Sequence, residues 1–388
     1  MELQDCSLRL MRHFMCCILL LPPRPQLHLK LFYSLSILTY LIIITHWRFG
    51  FKYEVNYDYM NDYFSLAVDF FNFIALISGH VTVALELIWK NRSIVIDQKF
   101  QELQNTLHEK LGHKVNVKRI QLHCNLVFSF LFLRVIVLTI MTLMNFTTTN
   151  TYFLYVLNFY SEMVEILRCC EFILHGVLVL SIYQELNSAS SQLIFELQTK
   201  DNLCVERIFV MQELHQLLWS TQREIEKNFE LSIIVIMMKN FVDTSVIPYW
   251  LYVSRKFDNF ALHSWCITEE IGKLLEVIIP CWISTRCDYL QRKLRSQFHG
   301  VYSDRNNEQL NEALLRISSQ LTQERCHYRI GGFITLNNEM LGRFLFGVVS
   351  YIFICIQFRI NFYSHEADIL HLQRLHNRTE TSYLYIKL

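Results

Sequence analysis

Ionisable side chains interrupt stretches of this chain that otherwise read as hydrocarbon. They fall in groups: Asp69 and His80; Arg134; Glu162, Glu165, Arg168 and Glu171; Lys239 and Asp243; Glu269, Glu270, Lys273 and Glu276. A charge at the centre of a bilayer costs about 3 kcal/mol on insertion scales, so such residues face a bundle interior or water. Opposite signs recur three or four residues apart, as in Glu165–Arg168 and Lys239–Asp243, a spacing that puts both partners on one helix face. Two chemistries fit. Ion pairs could fasten one helix to the next, or a polar, water-accessible pocket could take a small ligand. Asp69, Glu162, Glu165, Glu269 and Glu270 are the pocket candidates, because they fall in the outer half or near the middle of their stretches under the orientation derived below. His80, alone in its surroundings, is more readily a satisfied interior histidine than a ligand. No His, Cys and Glu share a metal-ligand spacing, and neither a Ser/His/Asp arrangement nor a Gly-rich phosphate loop occurs. The sequence therefore predicts no enzyme, no metal and no cofactor.

The elements that must position these residues are long and apolar. The chain has 388 residues, 52% hydrophobic and only 18% charged, against about 25% charged in soluble proteins. A hydrocarbon core about 30 Å thick needs roughly 20 mostly apolar residues in a helix. Seven stretches meet or approach that: Leu31–Trp47, Tyr63–Trp89, Leu122–Phe146, Phe159–Tyr183, Leu231–Val253, Leu262–Ser284 and Arg343–Ile360. Backbone polar groups in lipid must bond within the segment, so each is expected to be a helix. Trp47, Tyr63, Trp89 and Trp250 stand near span ends, as interfacial anchors do. The expectation is an all-α membrane protein of seven transmembrane helices.

Basic residues set its direction. Lys and Arg number 23 in the N-terminal segment and the loops on its side, and 8 in the alternate set, including four after Phe358. The positive-inside rule then places the N-terminus in the cytosol and the C-terminus outside. The resulting division is a cytosolic segment 1–30, spans one to six over 31–284, cytosolic helices over 285–342, a seventh span 343–360 and an extracellular tail 361–388. Phe14–Leu21 resembles a signal-peptide core, but Pro22, Pro23 and Arg24 follow where a small-residue cleavage site would stand. None of the 12 cysteines falls in an expected extracellular loop, so free thiols are the expected state. Asn145 and Asn377 head sequons on the expected outer side and are the glycosylation candidates. The net charge of +1 gives no reason to expect nucleic acid as a partner.

Two cytosolic stretches carry helical stripes. Leu186, Leu193 and Leu197, then Ile208, Met211, Leu218 and Ile225, mark 184–230; Leu310, Leu314, Ile317 and Leu321 mark 285–342. In water such stripes need a partner. They can continue the spans above and pack together beneath the membrane, or serve as an intracellular oligomerisation platform; the two are compatible. Gly331 and Gly332 are expected to break the second of these helices before the last span.

In that last span Gly347, Ser350, Ile354, Gln357 and Asn361 step by 3, 4, 3 and 4 and so share one face, the others being Phe, Val, Ile and Leu. A small or polar seam in lipid means close helix packing or a water-lined path. Ser350-Tyr351, five apolar residues and Gln357-Phe358 resemble the Thr-Tyr-(five hydrophobic)-Gln-Phe signature that ends insect gustatory receptors, with Ser in place of Thr. Gly332-Phe333-Ile334-Thr335-Leu336-Asn337 resembles the stretch preceding it in that family. The resemblance implies a ligand-gated cation channel sharing its fold with insect odorant receptors. Four like or unlike gustatory receptor subunits would surround a pore in the plasma membrane of gustatory receptor neurons, joined by the intracellular anchor. A small-molecule tastant would bind in the outer half of the bundle. Ile354 and Gln357 would sit at the pore constriction, with Ser350 and Gly347 on the same seam, while Tyr351 and Phe358 would pack against other helices. A G-protein-coupled receptor is the alternative, but it needs the opposite polarity, and neither Asp-Arg-Tyr after span three nor Asn-Pro-x-x-Tyr in span seven is present. A transporter would show repeated halves or matching broken helices, and neither is seen.

Overall fold

The structure, a computed structural model, describes residues 27–50, 63–113, 116–144, 149–199, 205–256, 260–301 and 308–357. Ten helices and one two-stranded hairpin make up these residues. In chain order they are α1 (Leu27–Gly50), α2 (Tyr63–Lys90), α3 (Ser93–Glu109), α4 (Val117–Met144), α5 (Thr149–Thr199), α6 (Val205–Asn228), α7 (Glu230–Lys256), α8 (Phe260–Val301), α9 (Glu308–Gln323), β1 (Arg329–Ile330), β2 (Ile334–Thr335) and α10 (Asn338–Gln357). Asn145, Phe358, Asn361, Asn377 and both terminal segments lie outside the described residues, as does the side chain of Asp69.

Each of the seven apolar stretches lies in a helix as far as the described residues reach. Phe70–Lys90, Val117–Ile140, Glu230–Pro248 and Asn338–Gln357 are long and apolar enough on their own to cross a bilayer, and Lys30–His46 is a shorter apolar helix. The stretches in α5 and α8 are diluted by the charges at 162–171 and 269–276.

Length carries two helices beyond any bilayer. At 1.5 Å per residue the 51 residues of α5 span about 76 Å and the 42 of α8 about 63 Å, against a hydrocarbon core of about 30 Å. Their far ends join α3, α6 and α9 in a second layer. The stripes read from the sequence are buried there: Leu186, Leu193 and Leu197 on α5, Ile208, Met211, Leu218 and Ile225 on α6, and Leu310, Leu314, Ile317 and Leu321 on α9. The packing reading of these stripes is thus realised within one chain. Helix α3 was not foreseen, although Ile96, Phe100, Leu103 and Leu107 step by 4, 3 and 4 and are all buried. This lower layer and the upper bundle share one continuous apolar core.

The glycine pair does something other than break a helix. Helix α9 has already ended at Gln323, where Gln291 of α8 donates to the carbonyls of Leu321 (3.1 Å) and Glu324 (2.5 Å) and accepts the Cys326 N–H at 2.6 Å. Gly331 and Gly332, at φ 61° and 77°, form the hairpin turn, a left-handed conformation that a Cβ would strain. The strands register Arg329 against Thr335 and Ile330 against Ile334. Asn337 then caps α10, its side-chain oxygen accepting the Met340 N–H at 2.7 Å. The residues that carried the upstream family resemblance are a turn, a buried Leu336 and a helix cap.

Candidate functional site

Two arrangements compete for functional meaning: a ladder of charges inside the bundle and the exposed face of α10. The ladder begins on α5. Glu162 bridges two lysines, its oxygens accepting from Lys239 Nζ of α7 at 2.6 Å and Lys273 Nζ of α8 at 2.8 Å. Asp243, one turn beyond Lys239, takes Lys239 at 3.0 Å and Lys273 at 3.4 Å. Glu269 of α8 accepts both arms of the Arg134 guanidinium from α4 at 2.9 and 3.0 Å, a two-pronged geometry that fixes orientation as well as charge. Glu276 takes Arg134 at 3.2 Å and the Asn240 amide at 3.2 Å. Four helices are laced together in this way.

Space for these groups comes from two missing side chains. A Cβ on Gly272 would overlap the Arg134 guanidinium, and a Cβ on Gly79 would overlap the Glu165 carboxyl. Glu165 lies 3.0 Å from Lys239, yet neither of its oxygens has a hydrogen-bond partner in the structure. Lys239, Lys273 and Arg134 thus face Glu162, Glu165, Asp243, Glu269 and Glu276, an interior that is net negative when all are ionised. Next to Glu165 is an aromatic trio. Tyr40 of α1 donates to the Leu157 carbonyl at 2.8 Å and bonds Ser161, and its ring stacks on His80 at 4.8 Å with Tyr160 5.3 Å from that histidine.

A second knot sits nearer the lower layer. Arg168 is fully buried between Glu171 at 2.7 Å and Glu86 at 3.4 Å, donates to the Asn228 carbonyl, and lies 3.9 Å above the Phe229 ring. Glu86 also accepts the first N–H groups of α7, from Leu231 at 2.8 Å and Ser232 at 3.0 Å. A carboxylate there satisfies donors that have no partner within the helix and complements its dipole. The expected Glu165–Arg168 pair does not form: Arg168 takes Glu171 and Glu86, and Glu165 turns to Gly79 and Lys239. The other expected pair, Lys239–Asp243, does form.

Of the pocket candidates, Glu162, Glu165 and Glu269 meet in the ladder. Glu270 does not; its Oε2 is buried without a hydrogen bond. His80 is interior as expected, 1% exposed, with its Nδ1 unpartnered. Glu86, Tyr40 and Tyr160 were missed. The signal for Glu86 was available, since it is a further carboxylate within the apolar stretch Tyr63–Trp89. Among the described residues no group of three or more His, Cys, Asp or Glu could hold a metal ion, and the eight described cysteines are free and buried.

Helix α10 is the opposite case. It buries Phe344, Val348 and Cys355 against the bundle and leaves Phe346, Val349, Phe353, Ile354 and Ile356 uncovered. Ile354 is 47% exposed and Gln357 is exposed too, while Ser350 bonds its own helix at the Phe346 carbonyl. Gly347 flanks that face, close against the Phe241 ring of α7. Tyr351 is 43% exposed, so the packing expected of it is at most partial within one chain.

The sequence profile of the 7tm chemosensory receptor family matches residues 8–362. A Drosophila melanogaster protein provisionally named gustatory receptor 98a is 38% identical over 372 residues, 93% of each chain. A second from that fly, provisionally named gustatory receptor 98b, is 24% identical over 52% of each chain. The fold is similar to that of the insect olfactory receptor OR5 from Machilis hrabei, with a TM-score of 0.60 at 11% identity over 90% of this chain and 99% of that one. The same receptor solved with eugenol gives a TM-score of 0.59.

Proposed function

Because the chain belongs to the chemosensory receptor family that includes insect gustatory receptors, we propose that it is a ligand-gated cation channel opened by a small-molecule tastant. It crosses the plasma membrane of gustatory receptor neurons seven times with its N-terminus in the cytosol. Four subunits, like or unlike, surround a pore lined by α10, and the lower helical layer serves as their anchor. The observation that carries this reading is α10 itself. A membrane-length apolar helix with Gln357 and Ile354 on an open side has nothing among the described residues to cover that side.

Gating follows from wetting. A ring of Ile354 side chains makes an apolar neck that sheds water, and ions do not cross dry hydrocarbon; Gln357 offers amide dipoles to a hydrated cation once the neck widens. The tastant binds in the outer half of the bundle, around Glu162, Glu165 and Glu269, with Asp69 and Glu270 as further candidates, and opens the pore by its preference for the dilated state. The eugenol complex of the Machilis hrabei olfactory receptor supports a small organic ligand. The family assignment and the missing Asp-Arg-Tyr and Asn-Pro-x-x-Tyr motifs speak against a G-protein-coupled receptor. Expressed in cells, Ile354→Asn should pass a standing cation current without tastant. A variant that reaches the surface and stays silent contradicts the assignment.

A further inference from the structure

Below the start of α10 two recesses share a wall. The larger, about 650 Å³, is lined by Arg223, Arg325, Arg329 and Arg343; the smaller, about 350 Å³, adds Arg292 and Arg295, and Arg325 and His327 line both. These volumes fall within the roughly 300–1,000 Å³ of small-molecule sites. Six arginines here meet two lining carboxylates, Asp288 and Glu339. Glu339 pairs with Arg343 at 2.5 Å, Asp288 pairs with Arg292, and Arg223 turns to Glu226 at 2.7 Å. Arg295, Arg325 and Arg329 are exposed, and among the described residues their guanidinium groups form no ion pair with a carboxylate; Arg329 meets Glu226 only through its backbone N–H at 3.1 Å.

A solvated basic face is the bland alternative, and most charge runs are that. Three features set this one apart. The arginines come from separate elements, α6, α8, the segment after α9, β1 and α10, and converge on walled space rather than lying along one helix. Their field is felt locally: the His327 imidazole is held below its usual range by burial and by Arg325, Arg292 and Arg329, against the pull of Asp288. Polar and apolar walls are also present, with Thr335 and Asn337 beside a hairpin-tip Phe333 that is 72% exposed. Guanidinium forks at several angles suit an anion with several tetrahedral groups better than a single carboxylate, because each phosphate can take a two-pronged pair. The site adjoins Asn337, Glu339 and Arg343, just before the mostly apolar run that begins at Phe344.

We propose that this groove binds a ligand carrying clustered phosphomonoesters, an inositol polyphosphate either free in solution or as the headgroup of a lipid. Bound there, it would tie the segment after α9, the hairpin and the first turns of α10 into one unit, at the end of the helix opposite Gln357. The binding claim does not rest on the channel reading.

The test uses the full chain, purified in detergent, with inositol hexakisphosphate alone as one probe. The second probe is flotation of the receptor with phosphatidylcholine vesicles made with or without phosphatidylinositol bisphosphate. Inositol hexakisphosphate is expected to raise the melting temperature and to bind more weakly as salt increases. Replacing two arginines, Arg325→Gln with Arg329→Gln, should weaken it at least about tenfold, since each basic residue near an anionic surface contributes about a factor of five. Arg316→Gln, at an exposed arginine outside the groove, should leave binding unchanged. Capture by the bisphosphate vesicles as well assigns the lipid source; binding of the soluble probe alone assigns a free polyphosphate. No binding of either probe overturns the proposal, as does binding that survives the double substitution in a variant whose unliganded melting temperature is unaltered.

Discussion

Within its apolar stretch helix α8 settles Glu269, Lys273 and Glu276 against partners in the same chain. Glu269 and Glu276 hold Arg134, and Lys273 sits between Glu162 and Asp243, each within 3.4 Å. Helix α10 leaves Ile354 and Gln357 open and buries only a strip of three residues. In the first, polarity is bought off by partners that the same chain supplies, so the residues there serve cohesion whatever else they do. In the second nothing among the described residues closes the face, which leaves it open to lipid or to copies of the subunit. Charge hidden inside and an apolar surface left outside are what a membrane solvent selects, but a seam with Ser350 and Gln357 fits lipid poorly.

The comparison breaks most visibly at Arg134. Arg134→Met removes the only cation within salt-bridge distance of Glu276 among the described residues and leaves Glu269 with Lys273 alone, 3.9 Å away, which should cost about 3–5 kcal/mol. Thermal melting of the purified receptor reads it, and adding Glu269→Gln and Glu276→Gln should recover most of the loss. A melting temperature unmoved by the single change would show that water already reaches the ladder.

Next in size is Gly272→Leu, which drives a side chain into the Arg134 guanidinium and should cost about 1–3 kcal/mol as overpacking does. Should it melt like the parent, α8 and α4 are farther apart than described. The smallest effect belongs to the α10 side. Glu339→Ala breaks the Arg343 pair, whose side chains are 68% and 80% exposed, and should change stability by less than about 1 kcal/mol. A loss as large as that at Arg134 would mean that the lower end of α10 is buried in the assembly.

Much of this was legible beforehand because long apolar runs permit few structures. The helices fell where hydrocarbon length and backbone bonding require them, and the stripes at 186–225 and 310–321 are buried as their spacing implies. What spacing could not give was choice of partner. Glu165 and Arg168 share a face on α5, but Glu165 finds Lys239 of α7 while Arg168 finds Glu171 of α5 and Glu86 of α2, so their proximity in sequence decided nothing. Glu86 escaped notice because one acid near a span end looks like a boundary residue, whereas its role comes from where the N-terminus of α7 lands. Helix α3 was passed over because its charged residues mask a regular 4-3-4 stripe. Gly331 and Gly332 were recognised as a break, but a glycine pair does not say whether a helix or a hairpin is interrupted.

Whether the open side of α10 meets other copies of the chain can be read by cross-linking. Gln357→Cys in native membranes, oxidised with copper phenanthroline and run without reductant, should give a covalent dimer. Phe132→Cys, on the 68% exposed outer face of α4, should stay monomeric. Dimer formation at 132 with none at 357 would contradict the account.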